Sequence, residues 1–467
     1  MKTIGRDLTE GSIPRHLLSL AIPMLIGNLL NTGYSIIDAM WIGRMVGREA
    51  IGAIAVSFPV VFLFVGVANG ATLATTILVS QFFGAKNHTM VRRTVGTSFS
   101  LALILGVVSA AAGIMLSGSI LKWLGTPESI MPLASSYLKI AFLGFPVMYL
   151  SFLVTSILRG VGDTRTPLYF MAAGVVINAV LDPLFIIGIG PLPRMGLDGA
   201  AWASIISAFA AVLLGTLYLN SKGSDFAFNP AKLSADKKVA RLIFSIGLPS
   251  MIQQSAVSLG MVFIASFVNK FGAVAAAAYG AAGRIDSVAF LPAMSIGLSV
   301  SAITGQNLGA GKVDRVHSIF KWGLLMTASI SLFLSIFFLS IPDLLLSIFT
   351  TDQEVIAIGR NYLRIVGPST LFFAIMYVSN GVINGAGHTL TTLAFTICVL
   401  WGVRIPMAAF LSRTFLGIEG IWIAFAVGFF TIMCVSLSWY FSGRWKKPVV
   451  RAGLKNAIAA EPASAEA

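Results

Sequence analysis

Four oxygen-bearing side chains lie inside long apolar segments of this sequence, where polar groups are costly. Asp38 lies in the run from 22 to 42, Asn178 and Asp182 are four residues apart in a later run, and Ser204 lies in the run that follows. A carboxylate in the middle of a membrane span costs at least about 2.5 kcal/mol, so such an acid is a functional candidate by default. Oxygen ligands suit a proton or a hard cation. We therefore interpret these four residues, hereafter the polar cluster, as a candidate ion-coupling site that could hold Na⁺.

The two carboxylates of the polar cluster restrict how it can be charged. In a medium of low dielectric constant, two neighbouring carboxylates disfavour being ionised together, so protonation and cation binding should compete. The competing interpretation is a buried acid that only hydrogen-bonds a neighbouring helix.

The helix that carries Asp38 presents further polar groups on the same face. At about 100° per residue, Asn31 and Tyr34 share that face with Asp38, and Trp41 lies near it. These side chains are candidates for contact with a substrate. Pro23 lies near the start of the same helix, where its missing backbone donor can bend or loosen the helix.

The second half of the chain carries a different set of embedded polar groups. Gln253, Arg284 and Asp286 lie in apolar runs, and Arg404 is a further embedded cation. Arg284 and Asp286 are two residues apart and so point to different faces of a helix. Two interpretations stay open: contact with a substrate, for which Gln253, Arg284 and Asp286 are the candidates, or fastening of helices to one another.

Composition indicates the class of protein. Of the 467 residues, 57% are hydrophobic and 11% are charged, and the mean hydropathy is +0.88. A soluble domain carries about 25% charged residues, so we predict an integral membrane protein. The net charge of +14 resides between the apolar runs, which indicates membrane topology rather than a nucleic-acid partner. The sequence offers no Walker motif and no nucleophile or metal-ligand cluster at membrane depth, so we predict neither an enzyme nor a resident cofactor.

Twelve apolar runs are long enough to cross a bilayer as helices of about 20 residues. They cover 15–42, 50–80, 93–121, 132–158, 166–190, 196–219, 241–269, 274–305, 317–342, 358–384, 391–413 and 418–442. Lys and Arg concentrate at alternate ends of these runs, on the side that holds both termini. We therefore predict a multi-pass protein of the inner or plasma membrane with cytoplasmic N- and C-termini.

Four motifs recur between the two halves at a nearly constant offset. Their equivalent positions are Pro23 and Pro249, Gln81 and Gln306, Gly160 and Gly385, and Gly196 and Gly417. The predicted fold class is therefore an all-α integral membrane protein, with twelve transmembrane helices in two six-helix lobes related by a parallel, pseudo-two-fold repeat. The predicted divisions are an N-terminal lobe over 1–219, a cytoplasmic loop over 220–240, a C-terminal lobe over 241–443 and a basic, then disordered, tail over 444–467.

Over essentially the whole chain, these features are similar to the multidrug and toxic compound extrusion family. The family's motif positions resemble Pro23, Tyr34 and Asp38 in the first helix, Asn178 and Asp182 in the fifth, and Ser204 in the sixth. The resemblance implies two lobes that enclose a central cavity and alternate access by rocking. It implies export of organic, mostly cationic drugs in exchange for H⁺ or Na⁺, and a hinge at Pro23.

The positions of acidic residues distinguish two branches of that family. The NorM-like branch carries acids in its seventh and tenth helices, whereas the segments 247–270 and 366–387 of this chain contain none. The chain therefore resembles the DinF-like branch, which works through acids of the N-terminal lobe. The expected partners are small-molecule drugs or organic cations and membrane lipids, and the chain is expected to act as a monomer. The alternative is a flippase or exporter of a lipid-linked precursor or metabolite, which would favour a basic cavity; only Arg284 and Arg404 point that way.

Overall fold

The computed structural model describes residues 5–188, 193–222 and 236–449, and all regular structure in these ranges is helical. Sixteen α-helices follow one another. They are α1 Ile13–Met45, α2 Arg48–Gly84, α3 His88–Trp123, α4 Met131–Leu143, α5 Phe145–Gly160, α6 Arg165–Ile187, α7 Leu197–Lys222, α8 Lys237–Asn269, α9 Ala273–Gly309, α10 Val313–Ser340, α11 Pro342–Ser347, α12 Gln353–Val366, α13 Thr370–Gly385, α14 Thr389–Thr396, α15 Ile405–Leu411 and α16 Gly417–Phe441. A π-helical segment, Ile397–Arg404, joins α14 to α15. Most of the predicted loop over 220–240, and the predicted tail from residue 450 onward, lie outside the described residues.

The predicted membrane spans are confirmed. Among the described residues, 11 segments are long and apolar enough to cross a membrane, and α4 with α5 supplies a twelfth that is bent by 46°. Gly144 lies at that bend, and a proline follows in the first turn of α5, where its missing N–H costs no helical hydrogen bond. The chain is a multi-pass, all-helical membrane protein.

The described chain divides into two compact units. Unit 1 holds Pro23–Met251 with the residues up to Asp7, and unit 2 holds Leu8–Ile22 with the described residues from Ile252 onward. Both α1 and α8 are therefore shared between the units. In α1 the division falls at Pro23, and in α8 it falls after Met251, two residues beyond Pro249.

Equivalent hydrogen bonds support the predicted internal repeat. In unit 1 the Ser136 hydroxyl donates to Asp198 Oδ2 at 2.6 Å, and in unit 2 the Asn361 amide donates to Glu419 Oε1 at 2.8 Å. The first bond joins α4 to the first turn of α7, and the second joins α12 to the first turn of α16. The two acids also sit at helix N-termini, where a negative charge is favoured.

Close helix contact in unit 2 depends on glycine. A Cβ atom built on Gly385 of α13 would lie 2.5 Å from the Ser301 carbonyl oxygen of α9, and one on Gly381 would lie 2.5 Å from the Gly297 carbonyl oxygen. Real Cβ atoms do not approach a backbone oxygen so closely, so α13 and α9 can pack at this distance only without side chains there. Small residues at helix interfaces are a common means of packing in membranes.

Gly385→Ala should lower the free energy of unfolding by about 1–3 kcal/mol, because α13 and α9 must move apart to admit the methyl group. The matched control is Gly280→Ala in α9, where a Cβ atom would meet nothing within 4 Å. That control should be neutral or slightly stabilising, since alanine is the better helix former. Thermal unfolding of both variants in detergent checks this; equal stability of the two would contradict the close contact.

Candidate functional site

Two helices of unit 1 bring the acids of the polar cluster together. Asp38 comes from α1 and Asp182 from α6, and their carboxyl groups lie close enough to interact directly. Asn178 Nδ2 donates to Asp182 Oδ1 at 3.1 Å, as the spacing of four residues along a helix allows. The sequence placed Asp38 in one apolar run and the pair Asn178 and Asp182 in another; the fold makes them neighbours.

Ser204, the fourth member of the polar cluster, is connected to the acids by Tyr34. The hydroxyl groups of Tyr34 in α1 and Ser204 in α7 are 2.7 Å apart and share a hydrogen bond. Tyr34 also lies close enough to both acids for their charges to interact with it. Through Tyr34 the cluster therefore includes all four predicted residues, which come from α1, α6 and α7.

Tyr137 of α4 is a neighbour of Asp38 that sequence reasoning missed. The repeat offers a signal for Tyr137. The equivalent residue in the second half is also a tyrosine, Tyr362, at an offset of 362 − 137 = 225 residues. Tyr362 lies next to the buried Asp286 in unit 2. A tyrosine thus accompanies an embedded acid in both halves.

The oxygen atoms of the polar cluster are not all satisfied by protein donors. Asp182 is fully buried and Asn178 is 1% exposed, while Asp38 is partly exposed. Asp38 Oδ1, Asp182 Oδ2 and Asn178 Oδ1 are buried atoms without a hydrogen-bond donor among the described residues. Two ionised carboxylates in contact repel each other strongly in an apolar medium. The arrangement therefore favours one bound proton, or one hard cation, between the acids.

Asn31 and Trp41 lie apart from these bonds. Asn31 is exposed, and its backbone carbonyl accepts a hydrogen bond from Ser35 at 3.0 Å. Trp41 is partly exposed one turn beyond Asp38. Among the described contacts, neither side chain is bonded to the acids.

The polar residues predicted in the second half lie in separate places. Gln253 donates to Thr396 Oγ1 at 2.8 Å and to the Thr392 carbonyl oxygen at 3.3 Å, so its amide fastens α8 to α14. Arg284 is exposed, with its guanidinium carbon 5.9 Å from the centre of the Phe349 ring.

Asp286 lies on a different face from Arg284, as the spacing of two predicts. It is buried and accepts a hydrogen bond from the Tyr362 hydroxyl. Among the described residues, no group of three or more His, Cys, Asp or Glu side chains could hold a metal ion.

Comparisons with known proteins agree with the repeat and with the fold. The sequence model of the MatE family matches residues 23–184 and again residues 249–410, so one model describes both halves. A solved structure entitled "Outward-facing conformation of a multidrug resistance MATE family transporter of the MOP superfamily" is similar with a TM-score of 0.86 at 23% identity, covering 97% of this chain and 99% of that one.

Two curated relatives come from Bacillus subtilis. "Probable multidrug resistance protein YoeA" is 32% identical over 448 residues, which cover 95% of this chain and 96% of the relative. "Probable multidrug resistance protein YpnP" is 33% identical over 440 residues, which cover 94% of this chain and 97% of the relative. The similarity therefore extends over nearly the full length of each protein.

The Tyr34–Ser204 hydrogen bond should appear as a coupling energy. Tyr34→Phe and Ser204→Ala each remove the bond. The double variant should therefore lose less stability than the two single variants lose together. The expected difference is about 0.6 kcal/mol, the value typical of hydrogen bonds between membrane helices. Reversible unfolding in mixed micelles measures this cycle. Tyr34→Phe combined with Ser35→Ala is the control and should be additive, because the hydrogen bond described for the Ser35 hydroxyl, to the Asn31 carbonyl oxygen, lies within α1. Additivity of both pairs would show that the Tyr34–Ser204 bond contributes nothing.

Proposed function

Because this chain belongs to the MatE family, we propose that it is a secondary active multidrug efflux antiporter, which exports small organic, mostly cationic compounds in exchange for H⁺ or Na⁺. Proteins of this family are transporters, so the chain is not an enzyme. The proposal includes alternating access, a monomer in the inner or plasma membrane, and cytoplasmic termini. The two relatives from Bacillus subtilis, named multidrug resistance proteins, support the substrate class.

The observation that carries the coupling proposal is the contact between Asp38 and Asp182. One proton or Na⁺ relieves the repulsion of these acids, and the unsatisfied oxygens of Asp38, Asp182 and Asn178 supply ligands of the required kind. Asn178 holds Asp182 in place through its amide, and Tyr34 is oriented by Ser204. An ion bound here changes which partners the acids prefer, and such a differential affinity is what shifts a conformational equilibrium.

Substrate contact is assigned to the remaining polar residues that the sequence indicated. In unit 1 the helix that carries Asp38 also carries three candidates, Asn31, Tyr34 and Trp41. Asn31 is exposed, and Tyr34 and Trp41 are partly exposed. In unit 2 the candidates are Gln253, Arg284 and Asp286. If a compound and the ion compete for the same acids, binding of the ion displaces the compound. This competition alone would couple release of the compound to entry of the ion.

The position of the acids also supports the DinF-like branch. The coupling acids of the proposal belong to α1 and α6, while the sequence segments 247–270 and 366–387 contain no acid. The alternative function stays a flippase or exporter of lipid-linked precursors or metabolites. The polar cluster favours the antiporter, because a pair of acids recognises cations and H⁺ rather than an anionic lipid headgroup.

Asp38→Asn should abolish gradient-driven export, because the amide keeps the shape of the side chain and removes the titratable charge. The protein should still fold, since loss of a desolvated charge removes a cost. Uptake of a cationic dye into proteoliposomes, driven by an imposed H⁺ or Na⁺ gradient, measures the effect. Asp198→Asn is the matched control: this acid of the same unit is held by Ser136 outside the polar cluster, and its variant should keep transport.

Two results would contradict the coupling proposal. Full gradient-driven transport by Asp38→Asn protein would show that Asp38 is structural. Movement of a fluorescent lipid-linked sugar by the wild-type protein, with no ion-driven movement of any dye, would favour the flippase.

Pro23→Ala should alter the ion dependence of transport as well as its rate. Pro23 lies inside α1, 15 residues before Asp38 (38 − 23), and its missing N–H weakens the helix there. If ion binding at Asp38 is coupled to a bend at Pro23, stiffening that bend must change the apparent ion affinity by the same free energy. Transport assayed against pH and Na⁺ concentration tests this. A rate change with unaltered ion dependence would exclude Pro23 as the coupling hinge.

A further inference from the structure

A groove of about 420 Å³ opens between α14 and α16 in unit 2. Phe395 of α14 lines one side. The other side is α16, which contributes Cys434, Ser438 and Ser442 at a spacing of four residues, so these small side chains share one helix face. Arg444, just beyond the end of α16, lines the end of the groove nearest the C-terminus.

The chemistry of the lining changes in order along this groove. Phe395 and Cys434 lie farthest from the end of α16 and make that part apolar. The hydroxyl groups of Ser438 and Ser442, both exposed, follow, and the exposed guanidinium of Arg444 comes last. A phospholipid presents the complementary groups in the same order: an acyl chain, the ester oxygens of the glycerol and a phosphate.

The length of the groove matches one leaflet of a bilayer. Cys434 and Ser442 are eight residues apart in sequence, which corresponds to about 12 Å along a helix. One leaflet supplies about half of a hydrocarbon core of roughly 30 Å. The groove therefore extends from the membrane surface through most of one leaflet, as a site for an acyl chain must.

The surface end of the groove is positively charged. Arg444, Lys446 and Lys447 are exposed there, and no carboxylate of the described residues forms an ion pair with Arg444. The one acid in the sequence from 367 to 449 is Glu419, which lies in the first turn of α16, at the opposite end of that helix. An anionic group at Arg444 would therefore meet complementary charge.

The turn that carries Arg444 is held in place by its neighbours. Trp445 is fully buried, and its indole N–H donates to the Tyr440 carbonyl oxygen at 2.9 Å. Further on, the Val449 N–H donates to the Ala386 carbonyl oxygen at 3.1 Å. Because these contacts fix the backbone on both sides of the turn, little backbone order would be lost or gained on binding a ligand.

We propose that this groove binds one anionic phospholipid from the leaflet on the side of the C-terminus. Its acyl chain lies between Phe395 and Cys434, and its phosphate is bound by Arg444, whose planar fork donates two parallel hydrogen bonds to such a group. Trp439 also lines the groove, near the end of α16, where aromatic rings favour the membrane interface. The cationic headgroup of phosphatidylcholine is disfavoured beside Arg444 and Lys446.

Native mass spectrometry of protein released from detergent tests the inference by counting bound lipids. The wild-type protein should retain one phosphatidylglycerol in preference to a phosphatidylcholine with the same acyl chains. Arg444→Gln should lower this preference about fivefold, the contribution of one basic residue near an anionic surface. The matched control Arg92→Gln removes an exposed basic residue of α3 in unit 1 and should leave the preference unchanged.

A second variant tests the apolar part of the groove. Ser438→Trp places a large ring inside the groove and should reduce retention of phosphatidylglycerol. The matched control is Ser245→Trp, because Ser245 is an exposed serine of α8 that does not line the groove. That control should retain phosphatidylglycerol as the wild-type protein does.

The two cysteines supply a readout in the wild-type protein that needs no stable variant. Cys434 lines the groove, whereas Cys398 is exposed outside it. Phosphatidylglycerol should slow alkylation of Cys434 by N-ethylmaleimide more than phosphatidylcholine does, and should leave Cys398 unaffected. Equal effects of the two lipids on Cys434 would overturn the inference.

Three further results would overturn it. Equal retention of the two lipids by the wild-type protein would mean that the headgroup charge is not recognised. An unchanged preference in Arg444→Gln, or unchanged retention in Ser438→Trp, would place the lipid elsewhere. A dimer that Ser438→Trp dissociates, with no change in bound lipid, would identify the groove as an interface between two copies of the chain. Lipid binding is measured without a gradient, so it does not depend on whether ion-driven transport is observed.

Discussion

The chemistry proposed for the first half depends on one interaction, the contact of two carboxyl groups inside an apolar helical unit. Asp38 and Asp182 cannot both be ionised there without a compensating cation, and no Lys or Arg of the described residues forms an ion pair with either of them. The compensating charge must therefore come from outside as a mobile ion. A lysine or arginine in the same place would form a permanent ion pair and would leave the acids nothing to exchange. The neutral character of the other neighbours, Asn178 and Tyr34, is thus part of the proposed coupling.

The sequence predicted much of this arrangement because helical periodicity is local. Asn178 and Asp182 share a face through their spacing of four, and apolar run length located the twelve spans to within a few residues. The pairing of α1 with α6 depended instead on the helix contacts of the fold, which no periodicity contains. Tyr137 shows this limit: no pattern within its own helix marks it, and its proximity to Asp38 depends on the fold.

In the second half, residue type alone does not distinguish the two roles that the sequence left open. Gln253 and Arg284 are polar residues in apolar runs, and the sequence grouped them with Asp286. In the structure the Gln253 amide is consumed by Thr392 and Thr396, while Arg284 is exposed. Burial and hydrogen-bond satisfaction, rather than polarity, separate a fastening residue from one that is available to a ligand. By that criterion the Gln253 amide is less available to a ligand than the exposed Arg284.

The repeat explains how one scaffold came to hold two different polar sites. Structural positions are retained between the halves: a tyrosine at Tyr137 and Tyr362, and an interhelical hydrogen bond at Asp198 and Glu419. The charged positions differ, because the equivalent of Asp38 is the buried Ile264, while the acid of unit 2 is supplied by α9. Helix packing constrains the retained positions through the shape of their side chains. The charged positions are free to change as long as each buried charge retains a partner, and a bound ligand can serve as that partner.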